Sequence, residues 1–250
     1  NSRPDGDWCG VNEELGVLQA TGCYADFTFP SAPSPTQPRM VNALYRAVDI
    51  PGRPRSHDRG VPVEARGQKS VVSSQEPVVG RPHEEKNPKS MASGFIPPPS
   101  SFIPHPSSLL LITGPLALNW RWRKWGILPR LENGEISGAN PPRPGRIALW
   151  VRQCIHVVGR PDWIFVKVHT HGMAPANRSA VVGPPMLGAL RALAAHYNDG
   201  HAWRTHMVTA REMYNIIRAA EDGNAGDPDN WRDYEIFPPT AAGGLHFRSG

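Results

Sequence analysis

Along the chain the spacing of apolar positions alternates between helical and extended periods. Val11, Leu15 and Leu18 recur at helical spacing, Asn12 is able to cap such a helix, and Gly22 is a helix stop. Cys23 to Phe29 then alternates with aromatic and β-branched types, predicting a strand that breaks in the Pro30-Ser31-Ala32-Pro33-Ser34-Pro35 loop. A further short strand is predicted from Asn42 to Ala47. The continuous run Leu109 to Thr113, ended by Gly114-Pro115, suits a strand covered on both faces.

Pro144 can open the next helix, whose stripe runs through Ile147, Leu149, Trp150, Val151, Cys154 and Ile155 and stops before Gly159-Arg160-Pro161. A strand is predicted over Trp163 to Val168, a helix through Met186 to Ala194, and a strand over Trp203 to Val208. The last helix is the best marked: Thr209 with Glu212 three residues on forms a capping box, and the helix runs through Met213, Ile216 and Ile217 to about Ala220. Strands alternating with helices predict an α/β fold with mostly parallel strands, an open sheet or a partial (β/α) barrel.

From about Gly67 the apolar period disappears. Ser, Pro, Gly and charged residues dominate to Ser108, and the heptad Phe95-Ile96-Pro97-Pro98-Pro99-Ser100-Ser101 is followed by a near copy, Phe102-Ile103-Pro104-His105-Pro106-Ser107-Ser108. Three prolines in seven exclude a helix or an inner strand, so a disordered low-complexity insertion is expected. The expected organisation is a first barrel part over 1–66, the insertion over 67–108, the remainder of the barrel over 109–222 and a loose tail over 223–250. The 28 prolines and 24 glycines among 250 residues agree that part of the chain is not core.

Composition narrows the function classes. A formal charge of +5 comes from single and paired cations, without the long block of like charges expected of a nucleic-acid or membrane tail. No nucleic-acid or membrane partner is expected. Cys9, Cys23 and Cys154 form no CxxC pair, so free thiols are expected. The absence of an apolar leader or long apolar span makes a cytoplasmic location the default expectation. The turn-like opening without Met suggests a fragment of a longer protein.

The chemistry concentrates where strands run out into loops, since in parallel α/β folds functional groups sit at carboxyl ends of strands. His169 and His171 follow the Trp163–Val168 strand with Thr170 between them, so on an extended backbone both imidazoles share one side. They can ligate a metal or move protons near neutral pH; equally, they can be polar residues in a loop mouth. Asp26 lies among aromatic and small residues, where a lone carboxylate is costly, and is either a site group or an ion-paired rim residue. His57 and Asp58 lie in a polar loop that could cover a pocket. Trp120-Arg121-Trp122-Arg123-Lys124-Trp125 reads either as a stacking surface for sugars or bases or as a strand with Trp inward and cations outward. Phosphate-loop, GxSxG and HExxH patterns are absent.

Arg3-Pro4-Asp5-Gly6, the helix to Leu18, Thr21 to Phe27 and Val166-Lys167-Val168-His169 together resemble the later motifs of the polysaccharide deacetylase (NodB-like) family. The resemblance implies a distorted (β/α) barrel, a zinc-like divalent metal held by one Asp and two His, and metal-dependent removal of acetyl groups from carbohydrate. It implies that Arg3 orients a catalytic Asp, that Asp26 lies in the aromatic groove strand, and that His169 is the late-strand general acid, with His171 its rival. Trp120, Trp122 and His57 are the expected substrate contacts. The family's TFDDG-type strand and HxxxH metal motif are absent from the chain, and Arg3-Pro4-Asp5-Gly6 is one residue shorter than the family's RPPYG-like form. The metal is therefore expected only in a complete parent protein. The alternative expectation is a barrel remnant that binds glycans without turning them over.

Overall fold

The computed structural model describes residues 12–49, 56–67, 109–172 and 174–238. Arg3 with the opening turn, and the low-complexity stretch apart from Gly67, lie outside the described residues.

The first helix, α1 (Glu14–Ala20), starts after Glu13 without a side-chain cap, so Asn12 does not play that role. Gly22, at φ +86°, turns the chain out of it as expected, because only glycine takes that conformation without strain. The predicted strand shortens to β1 (Ala25–Asp26). Its end has a local cause: the Asp26 carboxylate accepts hydrogen bonds from the backbone and hydroxyl of Thr28, both at 2.7 Å, folding the chain into a side-chain turn.

β2 (Leu44–Ala47), β3 (Gly60–Pro62) and β4 (Leu110–Ile112) complete a four-stranded sheet in the order β1-β4-β2-β3. β1 pairs with β4 in parallel; β2 pairs with both β4 and β3 antiparallel. β5 (Leu116–Lys124) and β6 (Leu128–Asn133) form a separate antiparallel hairpin. The expectation of a barrel with mostly parallel strands is thus overturned: the fold is mixed α/β with two small sheets, and among the described residues neither sheet closes. The reason is topological. The short turn over 125–127 folds β5 back onto β6 as an antiparallel hairpin, and in the larger sheet only the β1–β4 pairing is parallel.

Two predicted strands form no ladder. Trp163–Val168 is extended, but it is tied to its neighbours by scattered bonds: Phe165 N–H to the Ile155 carbonyl, His169 N–H to the Gly134 carbonyl, and a parallel bridge between Glu135 and His169. Trp203–Val208 joins no strand among the described residues; side chains take up part of its polar groups, with Asn198 Oδ1 accepting from Thr205 N–H and Asp199 Oδ1 from Trp203 N–H.

The helices fared better. α2 (Pro144–Val151) starts at the expected proline and ends before Cys154, which adopts φ +48°. α3 (Arg178–Val182) and α4 (Pro184–Tyr197) follow. α5 (Ala210–Glu221) carries the complete Thr209/Glu212 capping box.

β4 is buried on both faces. Leu110 and Ile112 face a core shared with Ile216, Ile217, Ala219 and Ala220 of α5, while Leu109 and Leu111 face Leu15 of α1 with Tyr45 and Ala47 of β2. Period-two side-chain alternation thus serves two cores from one run. A third core joins α2, α3 and α4 through Ile147, Trp150, Ala180 and Ala189. The chain after Gly223, expected to be loose, is packed on α5 over residues 224–238: Asn215 of α5 donates to the Arg232 and Ile236 carbonyls, and Trp231, Tyr234 and Ile236 cover the core. Residues 239–250 lie outside the described residues.

Candidate functional site

The site is built where β1 ends against the extended Trp163–His169 segment. Lys167 is only 7% exposed. Its ammonium donates to the carbonyls of Phe27 and Phe29 at 2.8 and 2.7 Å, which commits two of its three N–H groups. Burial pushes its pKa down from 10.5 to about 8, against the opposing pull of the Asp26 carboxylate. The backbone here is wedged between two glycines. A Cβ on Gly114 or Gly134 would come within 2.8 or 2.7 Å of the Lys167 carbonyl oxygen, so both positions require a residue without a side chain.

Asp26 keeps one oxygen on Thr28 and turns the other, Oδ2, to within 3.8 Å of His57 Nε2. His57 is fully buried on the 3-10 turn Ser56–Asp58. Tyr45 donates from its hydroxyl to the His57 carbonyl at 2.6 Å, and the Phe29 ring packs on the imidazole at 4.7 Å between centroids. Neither ring nitrogen has a hydrogen-bond partner among the described residues. Burial holds the imidazole neutral by lowering its pKa, outweighing the carboxylates of Glu14, Asp26 and Asp49 that pull the other way.

His169 is half-buried, with Nδ1 enclosed and unpartnered. Its pKa is lowered first by burial and then by the Lys167 charge, while Glu135 opposes the shift. At neutral pH it is a neutral imidazole, a proton acceptor before it can be a donor. His171 lies within electrostatic reach of His169, but it is exposed, and its carbonyl is taken by Ala174 N–H and Asn177 Nδ2. Of the expected residues, the fold gathers Asp26 and His57 into direct approach, and Lys167 links Asp26 electrostatically to His169.

Trp120 and Trp122 stand apart on the hairpin. Asn119 Oδ1 accepts from the backbone N–H groups of Arg121 and Trp122, both at 3.1 Å, and creates a bulge between Asn119 and Arg123. The bulge breaks the alternation. Trp120 is 58% exposed, and Trp122 is half-buried under the guanidiniums of Arg130 and Arg143, 4.3 and 5.4 Å from its centroid. A strand with both tryptophans packed inward is not what forms.

Two important residues escaped the sequence reading. Lys167 was legible as a lone cation in an apolar run. Arg146 left no such trace: it is 2% exposed and spends all five donors, on Glu132 Oε1 and on the carbonyls of Asn140, Pro141, Asn133 and Glu135. It therefore fixes the strand end against which His169 is bridged.

For a metal, Asp26 and His57 offer two donor atoms at one point, beside an ammonium. Among the described residues the three-donor group is elsewhere: His206, Asp227 and Asp229. There Arg204 already pairs with Asp227 and Arg232 with Asp229, so the two carboxylates are neutralised by guanidiniums. Among the described residues neither group offers the open set of one Asp and two His that the resemblance implies. No protein-family model, curated protein or solved structure matches the chain. No helix among the described residues is long and apolar enough to cross a membrane.

Proposed function

We propose that the protein is part of a carbohydrate hydrolase of the polysaccharide-deacetylase kind, contributing the acid–base side of the site. The observation that supports the reading is the anchoring of Lys167, two residues before His169, whose buried ammonium donates to the Phe27 and Phe29 carbonyls just past β1. A neutral His169 accepts a proton from water as its oxygen attacks the acetyl carbon. The Lys167 ammonium, charged below about pH 8, offsets negative charge building on the carbonyl oxygen. His169 then returns the proton to the departing sugar nitrogen or oxygen as its bond to the acetyl carbon breaks, giving acetate and the free amine or alcohol. Asp26 stabilises the ammonium and lies beside His57.

No step runs through a metal. A zinc-like ion is proposed only for a longer parent chain in which an upstream Asp-Asp strand and HxxxH pair supply the donors. Acetate release from acetylated chitooligosaccharide, measured on the chain and on an upstream-extended form with elemental analysis of both, tests the proposal. Release that disappears in His169→Gln is expected; an extended form that is metal-free and inactive ends it.

A second reading, glycan binding without turnover, is favoured by the exposure of Trp120 on the hairpin. It needs only a surface.

A further inference from the structure

The face of the β5–β6 hairpin that turns toward α2 carries its charges in two rungs. In the inner rung, Arg146 of α2 reaches Glu132 of β6 at 2.7 Å, and both are buried. Strand alternation puts Arg130, two residues before Glu132, on the same face, with Asn119 and Ala117 of β5 paired opposite the two. Arg143, three residues before Arg146, stands just ahead of α2. The outer rung therefore sets a guanidinium where the inner one sets a carboxylate.

The two outer arginines meet on one ring. Their guanidinium carbons lie 4.3 and 5.4 Å from the centroid of Trp122, so they stand apart by no more than the sum of those distances. Asn119 Oδ1 holds the ring's residue in place by accepting from its backbone N–H at 3.1 Å. An aromatic face attracts a cation but brings no charge to cancel two of them. Glu132, the carboxylate on this face of β6, is spent on Arg146, and neither Arg130 nor Arg143 forms an ion pair among the described residues. Around α5, by contrast, Arg204, Arg211, Arg218 and Arg232 each meet a carboxylate. Arg146 feels the crowding: its pKa is lowered first by burial and further by the Arg130 charge, against the pull of Glu132. Like charges gathered without a counter-charge repel, and a bound anion relieves that cost.

We propose that Arg130, Arg143 and Trp122 form a binding site for the carboxylate of a small organic acid. The inner rung supplies the pattern, since there a guanidinium already holds a carboxylate, and guanidinium forks match that group in geometry as well as charge. The ligand's carboxylate takes the part that Glu132 plays one rung further in, with an oxygen toward each guanidinium. Its carbon chain leads outward past Arg143, which is exposed, while Arg130 and Trp122 are half-buried. The positive end of the α2 dipole lies beside Arg143 and favours the same charge. The site asks nothing of the acetyl chemistry proposed above, and the two stand or fall separately.

The test is isothermal titration of the full chain with sodium succinate, with phosphate and with chloride, all at pH 7 and one ionic strength. Arg130→Gln and Arg143→Gln are compared with Arg152→Gln, which removes the same charge from an exposed residue at the other end of α2. Saturable binding of one succinate per chain is expected, about tenfold weaker or more in Arg130→Gln and in Arg143→Gln and unchanged in Arg152→Gln. Thermal unfolding of each variant is recorded alongside; should the half-buried Arg130 prove necessary for folding, the exposed Arg143 still reads the site. No saturable succinate binding, tighter binding of phosphate, or equal weakening in Arg152→Gln overturns the proposal.

Discussion

Lys167 Nζ lies 2.7 Å from the carbonyl oxygen of Phe29, a hydrogen bond spanning 138 residues of chain. It pins the segment that ends in His169 to the turn that ends β1, and it brings a buried cation to the edge of the site. A residue in this position titrates unusually, and the consequences can be measured.

Acetate release by the upstream-extended chain is expected to follow a bell-shaped pH profile. The acid limb reports His169, whose folded pKa lies below 6.5, because the base must be neutral. The alkaline limb falls near 8, where Lys167 loses its proton. Lys167→Met should abolish the alkaline limb; a limb that persists near 8 in that variant excludes Lys167 as its source.

Global stability carries the same signature with its own sign. The unfolded lysine holds its proton to about 10.5 and the folded one releases it near 8, so between these values the unfolded state binds more protons and stability rises with pH. The rise amounts to about 3 kcal/mol if no other group titrates differently. Urea unfolding at pH 8 and 10 compared with Lys167→Met checks it, the variant losing the slope.

Below pH 6.5 the two lowered histidines act together. Unfolded imidazoles bind protons that buried His57 and half-buried His169 resist, so stability falls as the pH drops from 6.5 toward their folded values. His57→Phe is expected to flatten that fall. It also removes two unpartnered buried nitrogens beside the Phe29 ring and is expected to raise stability at pH 7 by about 1 kcal/mol. Thermal unfolding across pH 5 to 7 measures both effects.

Arg146→Ala should be the most damaging single change outside the apolar cores. It leaves Glu132, 1% exposed, as a buried charge and releases four backbone carbonyls, a loss of about 3 to 5 kcal/mol. Denaturant titration gives the number. Arg146→Met with Glu132→Leu should recover much of it, because the uncompensated charge is gone.

What the sequence determined by itself is what short-range physics determines. The capping box at Thr209, the proline at the start of α2, the glycine turn after α1 and the doubly buried run at β4 depend on neighbours within a few residues, and each is where its pattern put it. The tertiary structure alone decided how strands pair and which side chains meet. Segments such as Trp163–Val168 and Trp203–Val208 carry strand-like patterns, but a ladder needs a continuous partner edge, and among the described residues the first meets only scattered bonds and an isolated bridge at its end and the second joins no strand. Strand direction likewise is not written in apolar period, because one apolar run, β4, pairs parallel with β1 and antiparallel with β2. Asp26, His57 and Lys167 acquire their roles from contacts made across long stretches of chain, where closure costs little more for a distant partner than for a near one and local pattern therefore holds no record of the choice.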